Sequence, residues 1–192
     1  PMAPGPSGAL WQRFRWGRTL EIFALDCRTE RLPSTRESAA PVYISAAQMQ
    51  WLKDGLREST AHFKVILNSV PITMMSDLWA MRADRWQGYG AQREELLDYL
   101  EEEAIADVWF LSGDFHMGFV ARLEPNGFRR NVFEAAVGPG GNLGNPLGYL
   151  AGRDDYREDV FPASQFFYGE GRIAATTLRF DPFDLRCVLI ED

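Results

Sequence analysis

Val108-Trp109-Phe110-Leu111-Ser112-Gly113-Asp114-Phe115-His116 is an apolar run that stops at small residues, then offers a carboxylate and an imidazole two positions apart. The run is short for a helix and reads as a buried strand. Ser112 and Gly113 let the backbone turn at its end. Beyond that end, the alternation of an extended chain would aim Asp114 and His116 at one target while Phe115 packs away. A hard oxygen ligand beside a nitrogen ligand suits a divalent or trivalent metal. The same residues also read as a capped strand end, with Asp114 accepting backbone N–H bonds and His116 a satisfied polar group. Position favours the first reading, because ligands of open α/β sheets gather outside the carboxyl ends of strands.

Working outward, Ala91 to Ala104 reads as a helix, with Leu97, Leu100 and Ala104 on one face and Arg93, Glu94, Glu95 and Glu101 to Glu103 mostly off it. Phe63 to Leu67 reads as a strand ending in Asn68-Ser69-Val70-Pro71. Before it, Ser45 opens a helix, with Gln48 three positions on as in a capping box, and Met49, Leu52 and Leu56 form its apolar stripe. Leu20 to Leu25 is a strand followed by Asp26-Cys27-Arg28. Strand, helix, strand, helix, strand favours an α/β layer arrangement. Thr29 to Ala40 is a polar loop, and Met74 to Gly90 a long loop with a short helical piece. After His116, strands are expected at Gly118 to Leu123 and Phe128 to Val137, around the turn Glu124-Pro125-Asn126-Gly127. A Gly/Asn/Pro loop from Gly138 to Gly148 precedes a last hairpin, Ile173 to Phe180 and Leu185 to Ile190. The organisation is an irregular leader, 1–10, and one domain, 11–192.

The 192 residues are 46% hydrophobic and 24% charged, an ordinary globular composition that excludes a disordered or fibrous chain. No apolar stretch approaches a membrane span. A formal charge of −7 argues against a broad nucleic-acid footprint. It leaves a phosphate ester open as substrate, since a bound metal reverses the local sign. Cys27 and Cys187 lie on or beside expected strands and read as two buried thiols or as a pair; they identify no compartment. Pro1 to Gly8 has no apolar h-region, which says nothing about export.

If the strands ending at Leu67 and Ser112 are neighbours, Asn68 reaches the same edge as Asp114 and could ligate a metal or hold a phosphoryl oxygen; it also reads as a polar turn residue. His62 precedes its strand and belongs at the opposite edge. Asp84 to Tyr89 offers an aromatic wall for a substrate, or a cover for the core. Arg28 and Arg31 either bind phosphate or pair with acidic neighbours. Gly138-Pro139-Gly140-Gly141-Asn142 is no P-loop, lacking the Gly-Lys-Ser/Thr ending. The chain has two histidines, and only His116 sits near the presumed site. Asp114, His116 and Asn68 are too few for a two-metal centre. Either the site is not metallic or further ligands come from sequence not present here.

Four ordered segments carry a resemblance: Phe14-Arg15-Trp16-Gly17 with Glu21 and Leu25-Asp26-Cys27-Arg28; Gln48 to Leu52 with Phe63 to Asn68; Trp86-Gln87-Gly88-Tyr89 with Arg93 and Leu96-Leu97; and Leu111 to His116. In these the chain resembles the C-terminal half of the PhoD-like alkaline phosphatases, in the calcineurin-like metallophosphoesterase superfamily. The resemblance implies a sandwich of two mixed sheets flanked by helices, of which this would be the C-terminal half. It implies hydrolysis of phosphate mono- or diesters by a metal-activated water or hydroxide, with ions of the Ca, Fe, Mn or Zn class. Asp114 and His116 match the family's C-terminal metal-binding motif; Asn68 falls in a matching segment; Trp86 and Tyr89 would line or support the site mouth. The family's upstream Gly-Asp and Asn-His motifs are absent here, and Cys27 stands where the family usually has a hydroxyl residue. Family members are often exported, and this does not carry over to the chain in hand. A rival expectation is a non-catalytic module acting through self-association or a protein partner, because half a sandwich bares an apolar face. A third, an unrelated hydrolase using Asp114 and His116 as acid and base, lacks a nucleophile.

Overall fold

The computed structural model describes residues 8–74, 82–116, 118–124 and 126–138, together with the backbone of three later strands, Gln165–Tyr168, Thr176–Phe180 and Cys187–Glu191. The expected loop from Gly138 to Gly148 and the tip of the last hairpin lie almost wholly outside the described residues.

Two β-α-β crossovers build the centre. β1 (Gln12–Trp16) turns into β2 (Leu20–Ala24) as an antiparallel hairpin. Gly17 takes the left-handed conformation there (φ 57°) that a side chain would resist. α1 (Ala46–Glu58) then carries the chain to β3 (Phe63–Leu67), and α2 (Gly90–Glu102) to β4 (Val108–Ser112). β2, β3 and β4 are parallel neighbours, with Ile22 opposite Val65 and Ile66 opposite Phe110. β6 (Phe133–Ala136) adds in parallel to β4, β5 (Phe119–Arg122) pairs antiparallel with β6, and β7 (Gln165–Tyr168) with β5. The seven strands run in the order β1-β2-β3-β4-β6-β5-β7, and β8 (Thr176–Phe180) and β9 (Cys187–Glu191) form a separate antiparallel ribbon.

Alternation along each strand divides the core between the two faces. Phe23, Ile66 and Phe110 pack in one cluster with Leu52 and Leu56 of α1 and Leu96, Leu97 and Leu100 of α2. Their neighbours Phe63, Val65 and Trp109 join Val120 and Ala135 in another, where Trp109 stacks on Phe133 at 4.6 Å. Strands buried on both faces explain why Val108 to Leu111 is apolar without interruption. Among the described residues no helix is long and apolar enough to cross a membrane.

Three expectations need correction. Phe128 to Val137 is not one strand: Phe128–Asn131 is a 3-10 turn, and β6 begins only at Phe133. Arg129 is the physical reason, since its guanidinium meets Glu94 at 2.7 Å, Glu124 at 2.8 Å and Asp98, folding the segment onto α2. The apolar face of α2 does not reach Ala104, which is exposed with φ 49°. Ala104 N donates to Glu101 O at 3.0 Å and Ile105 N to Leu100 O at 2.9 Å, so the helix closes in a Schellman motif with alanine where glycine is usual. Arg93, expected off the face, is buried: its Nε donates to Ile72 O at 2.8 Å and ties α2 to the segment after β3. Two strands, β1 and β7, had no counterpart in the reading of periodicity.

Candidate functional site

The parallel strands β2, β3 and β4 all end at one edge, and the residues just past each end come together there. After β2, Asp26 folds back on itself. Its Oδ1 accepts from the amides of Arg28 (3.1 Å) and Thr29 (2.9 Å), and the Thr29 hydroxyl donates to Oδ2. Burial opposes ionisation of Asp26, but these bonds outweigh it and hold the carboxyl below its ordinary range. The turn projects Arg28 and Arg31 along the edge. Both meet Asp84, Arg28 at 3.3 Å and Arg31 at 2.7 Å, while the second terminal nitrogen of Arg28 lies 3.6 Å from Asp114. Both arginines thus pair with acids, as one of the two readings required.

After β3, Asn68 donates its amide to Leu111 O at 2.8 Å, which joins the two strand ends. Its side chain is buried, and Oδ1 accepts from Trp86 Nε1 at 2.9 Å and from Cys27 Sγ at 3.3 Å. An indole N–H can only donate, so this contact fixes which end of the amide faces Trp86. Asn68 Nδ2 is buried and has no hydrogen-bond partner among the described residues. With Oδ1 committed to two donors, the amide has N–H groups to offer rather than a free oxygen. Burial, the largest influence, pushes the Cys27 thiol up to about 11, so it donates to Asn68 Oδ1 as a protonated thiol.

Trp86 and Tyr89, expected to line or support the site mouth, are both fully buried, and each packs against Tyr43, with ring centroids 4.3 and 5.1 Å apart. They stand on a 3-10 turn, Trp86–Tyr89, that runs directly into α2. Trp86 therefore reaches the edge through its hydrogen bond to Asn68.

After β4, Asp114 and His116 are exposed and flank Phe115, which is buried against Phe119 at 5.9 Å. The alternation holds, but the extended backbone expected for it does not. Asp114 and His116 both have positive φ, 65° and 60°. Aspartate and histidine take this conformation more readily than most residues with a side chain, and residues held in it are frequent at functional sites. Asp114 and His116 offer one oxygen and one nitrogen donor of the types a cation takes. Among the described residues no third His, Cys, Asp or Glu joins them in a metal-holding group. His62 stands at the other end of β3, edge-on to Phe63, as its place in the sequence required.

Sequence reasoning missed Glu134. This carboxylate is fully buried on β6, beside Phe110 of β4, and accepts from the amides of Ile72 at 3.0 Å and Thr73 at 2.8 Å. It clamps the segment that follows Asn68. Burial pushes its pKa up, against the pull of these bonds. The available signal was a lone acid amid Val132-Phe133-Glu134-Ala135-Ala136, inward by alternation.

The sheet order, its helical layer and this crowded strand edge define a metallophosphoesterase-like fold; a solved structure described as the structure of PhoD superposes with a TM-score of 0.64 over 98% of this chain and 42% of that one, at 19% identity. The family model of the PhoD-like phosphatases matches residues 1–139, and the chain belongs to that family. It is also similar to alkaline phosphatase D of Bacillus subtilis (strain 168), 29% identical over 136 residues, which are 62% of this chain and 23% of that protein. The chain thus spans less than a quarter of the length of this curated relative.

Proposed function

We propose that the edge formed by Asp26, Asn68 and Asp114 is part of a phosphate-ester site, and that this chain contributes it to a metal-dependent phosphatase acting on mono- or diesters. Supporting the reading are family membership and, above all, one observation: exposed Asp114 and His116 hold left-handed backbone conformations on either side of the buried anchor Phe115. Asp114 and His116 would hold a metal ion. Such a centre would supply polarisation of the phosphoryl oxygens and a lowered water pKa, so that hydroxide is available at neutral pH. The residues of the chain itself position and neutralise. Arg28, half-exposed and bridging Asp84 and Asp114, brings positive charge to the place where a phosphoryl group would lie. Asn68 would add amide N–H donors, with Trp86 and Cys27 holding its oxygen turned inward. Tyr89 would act only through packing on Tyr43.

Calorimetric titration with Mn2+ and with Ca2+ tests the pair directly, and assays with p-nitrophenyl phosphate and bis(p-nitrophenyl) phosphate test the chemistry. Asp114→Ala and His116→Ala are each expected to weaken metal binding by about tenfold or more, while His62→Ala leaves it unchanged. Equal binding by all four proteins would end the proposal for the pair.

A further inference from the structure

At the opposite end of the parallel strands, the β1–β2 turn, the α1–β3 connection and the α2–β4 connection border an open cavity of about 540 Å3, lined by Arg18, Thr60, His62, Lys64 and Asp107 among others. That volume lies within the range of small-molecule sites. We propose that this cavity binds a small, phosphate-sized oxyanion through Arg18, Lys64 and the Thr60 hydroxyl, with Asp107 limiting its affinity.

The charge balance supports an anion. Arg18 and Lys64 share the lining with a single carboxylate, Asp107, which lies 3.7 Å from His62 Nε2, so the lining carries an excess of positive charge in a chain whose net charge is −7. The nearest other acid is already neutralised: Glu21 sits 2.7 Å from Arg13 and 3.7 Å from Arg15, and takes the Ser59 hydroxyl as well. Lys64 is pinned rather than waving in solvent. Its ammonium donates to His62 O at 3.3 Å and Ala106 O at 3.1 Å, which leaves one of its three donors. Burial makes Lys64 easier to deprotonate, against the pull of Asp107 and Glu21, so a bound anion would relieve a charge that is incompletely compensated. The Thr60 oxygen accepts from Arg15 at 2.6 Å, and its own proton remains to be given. A cation is disfavoured, because the lining sets one carboxylate against the charges of Arg18 and Lys64.

The strands β3 and β4 are five residues each, so the cavity and the Asp114 edge lie roughly 17 Å apart. One ion cannot touch both, and the proposal does not rest on the phosphatase reading.

Titration of the full chain with sodium orthophosphate at constant low ionic strength, followed by amide NMR and calorimetry, tests it. The expected result is one saturable site with shifts at Arg18, Thr60, His62 and Asp107. Arg18→Gln should weaken binding about fivefold, and Asp107→Asn should tighten it by about as much, the effect of one charge at contact distance in water. Asparagine tolerates the left-handed backbone of Asp107 (φ 56°), so a gain of affinity there cannot come from unfolding. Shifts confined to Asn68 and Asp114, no saturation, or affinities that neither substitution changes would overturn the proposal.

Discussion

The two ends of the parallel strands are built on opposite principles. At the carboxyl end the residues around exposed Asp114 and His116 are held by others: Asp26 by its own turn, Asn68 by Trp86 and Cys27, the following segment by Glu134 and Arg93. At the amino end the charged groups line open space, and Lys64 is fastened only to backbone carbonyls. Pre-organisation is concentrated where chemistry is proposed. Substitutions should therefore be felt as stability losses at the first end and mainly as altered charge at the second.

The largest expected break is Glu134→Ala. It strands two buried amides, those of Ile72 and Thr73, and should cost about 2–4 kcal/mol in denaturant unfolding. The carboxyl also has a pH signature. Its pKa is raised in the folded protein, so the folded state binds the proton more tightly than the unfolded state. That stability is present below the ordinary glutamate range and is lost as pH rises toward the folded value. The wild-type midpoint should show this downward slope and Glu134→Ala should lack it; parallel profiles would refute the clamp.

Next comes Trp86→Phe, which keeps an aromatic ring and removes the N–H. Loss of one buried hydrogen bond and some packing should cost about 1–2 kcal/mol. The side-chain amide of Asn68 should then change its NMR shifts, since one of its oxygen's two donors is gone. Unchanged Asn68 resonances would show that Cys27 alone fixes the amide.

How far these features were legible depends on what carried them. Periodicity and caps found the central β-α-β-α-β run, because a buried parallel strand is apolar throughout and Ser45 accepts from Gln48 N as a cap must. The capping box itself is only half made. Gln48 spends its side chain on Asp26 and Glu30, partners far apart in sequence. The same non-local character hid Arg93 and Glu134, whose partners lie 21 and 62 residues away. The exposure of Asp114 and His116 around a buried Phe115 was legible by alternation, but their left-handed backbone was not, since aspartate and histidine adopt it in only a minority of cases. Trp86 reads two ways in the sequence; in the fold it is fully buried and bonded to Asn68.

Ala104→Gly sharpens the contrast from the amino end. Alanine occupies the left-handed position of the Schellman close, φ 49°, where glycine pays no steric penalty. Replacement should stabilise by about 0.5–1 kcal/mol, a gain measurable as a higher denaturant midpoint. A loss would mean that the added freedom of the unfolded chain exceeds the relief of strain.

The smallest effect is expected at Cys27. Its thiol is buried and donates to Asn68 Oδ1, and serine keeps a donor of similar size. Cys27→Ser should therefore shift stability by less than about 1 kcal/mol, whereas Cys27→Ala, which removes the donor, should cost more. The order of the two separates a hydrogen-bonding role from simple filling, because alanine is the more apolar replacement. If alanine is tolerated better than serine, Trp86 alone holds the amide, and the carboxyl edge is less tightly locked than its geometry suggests.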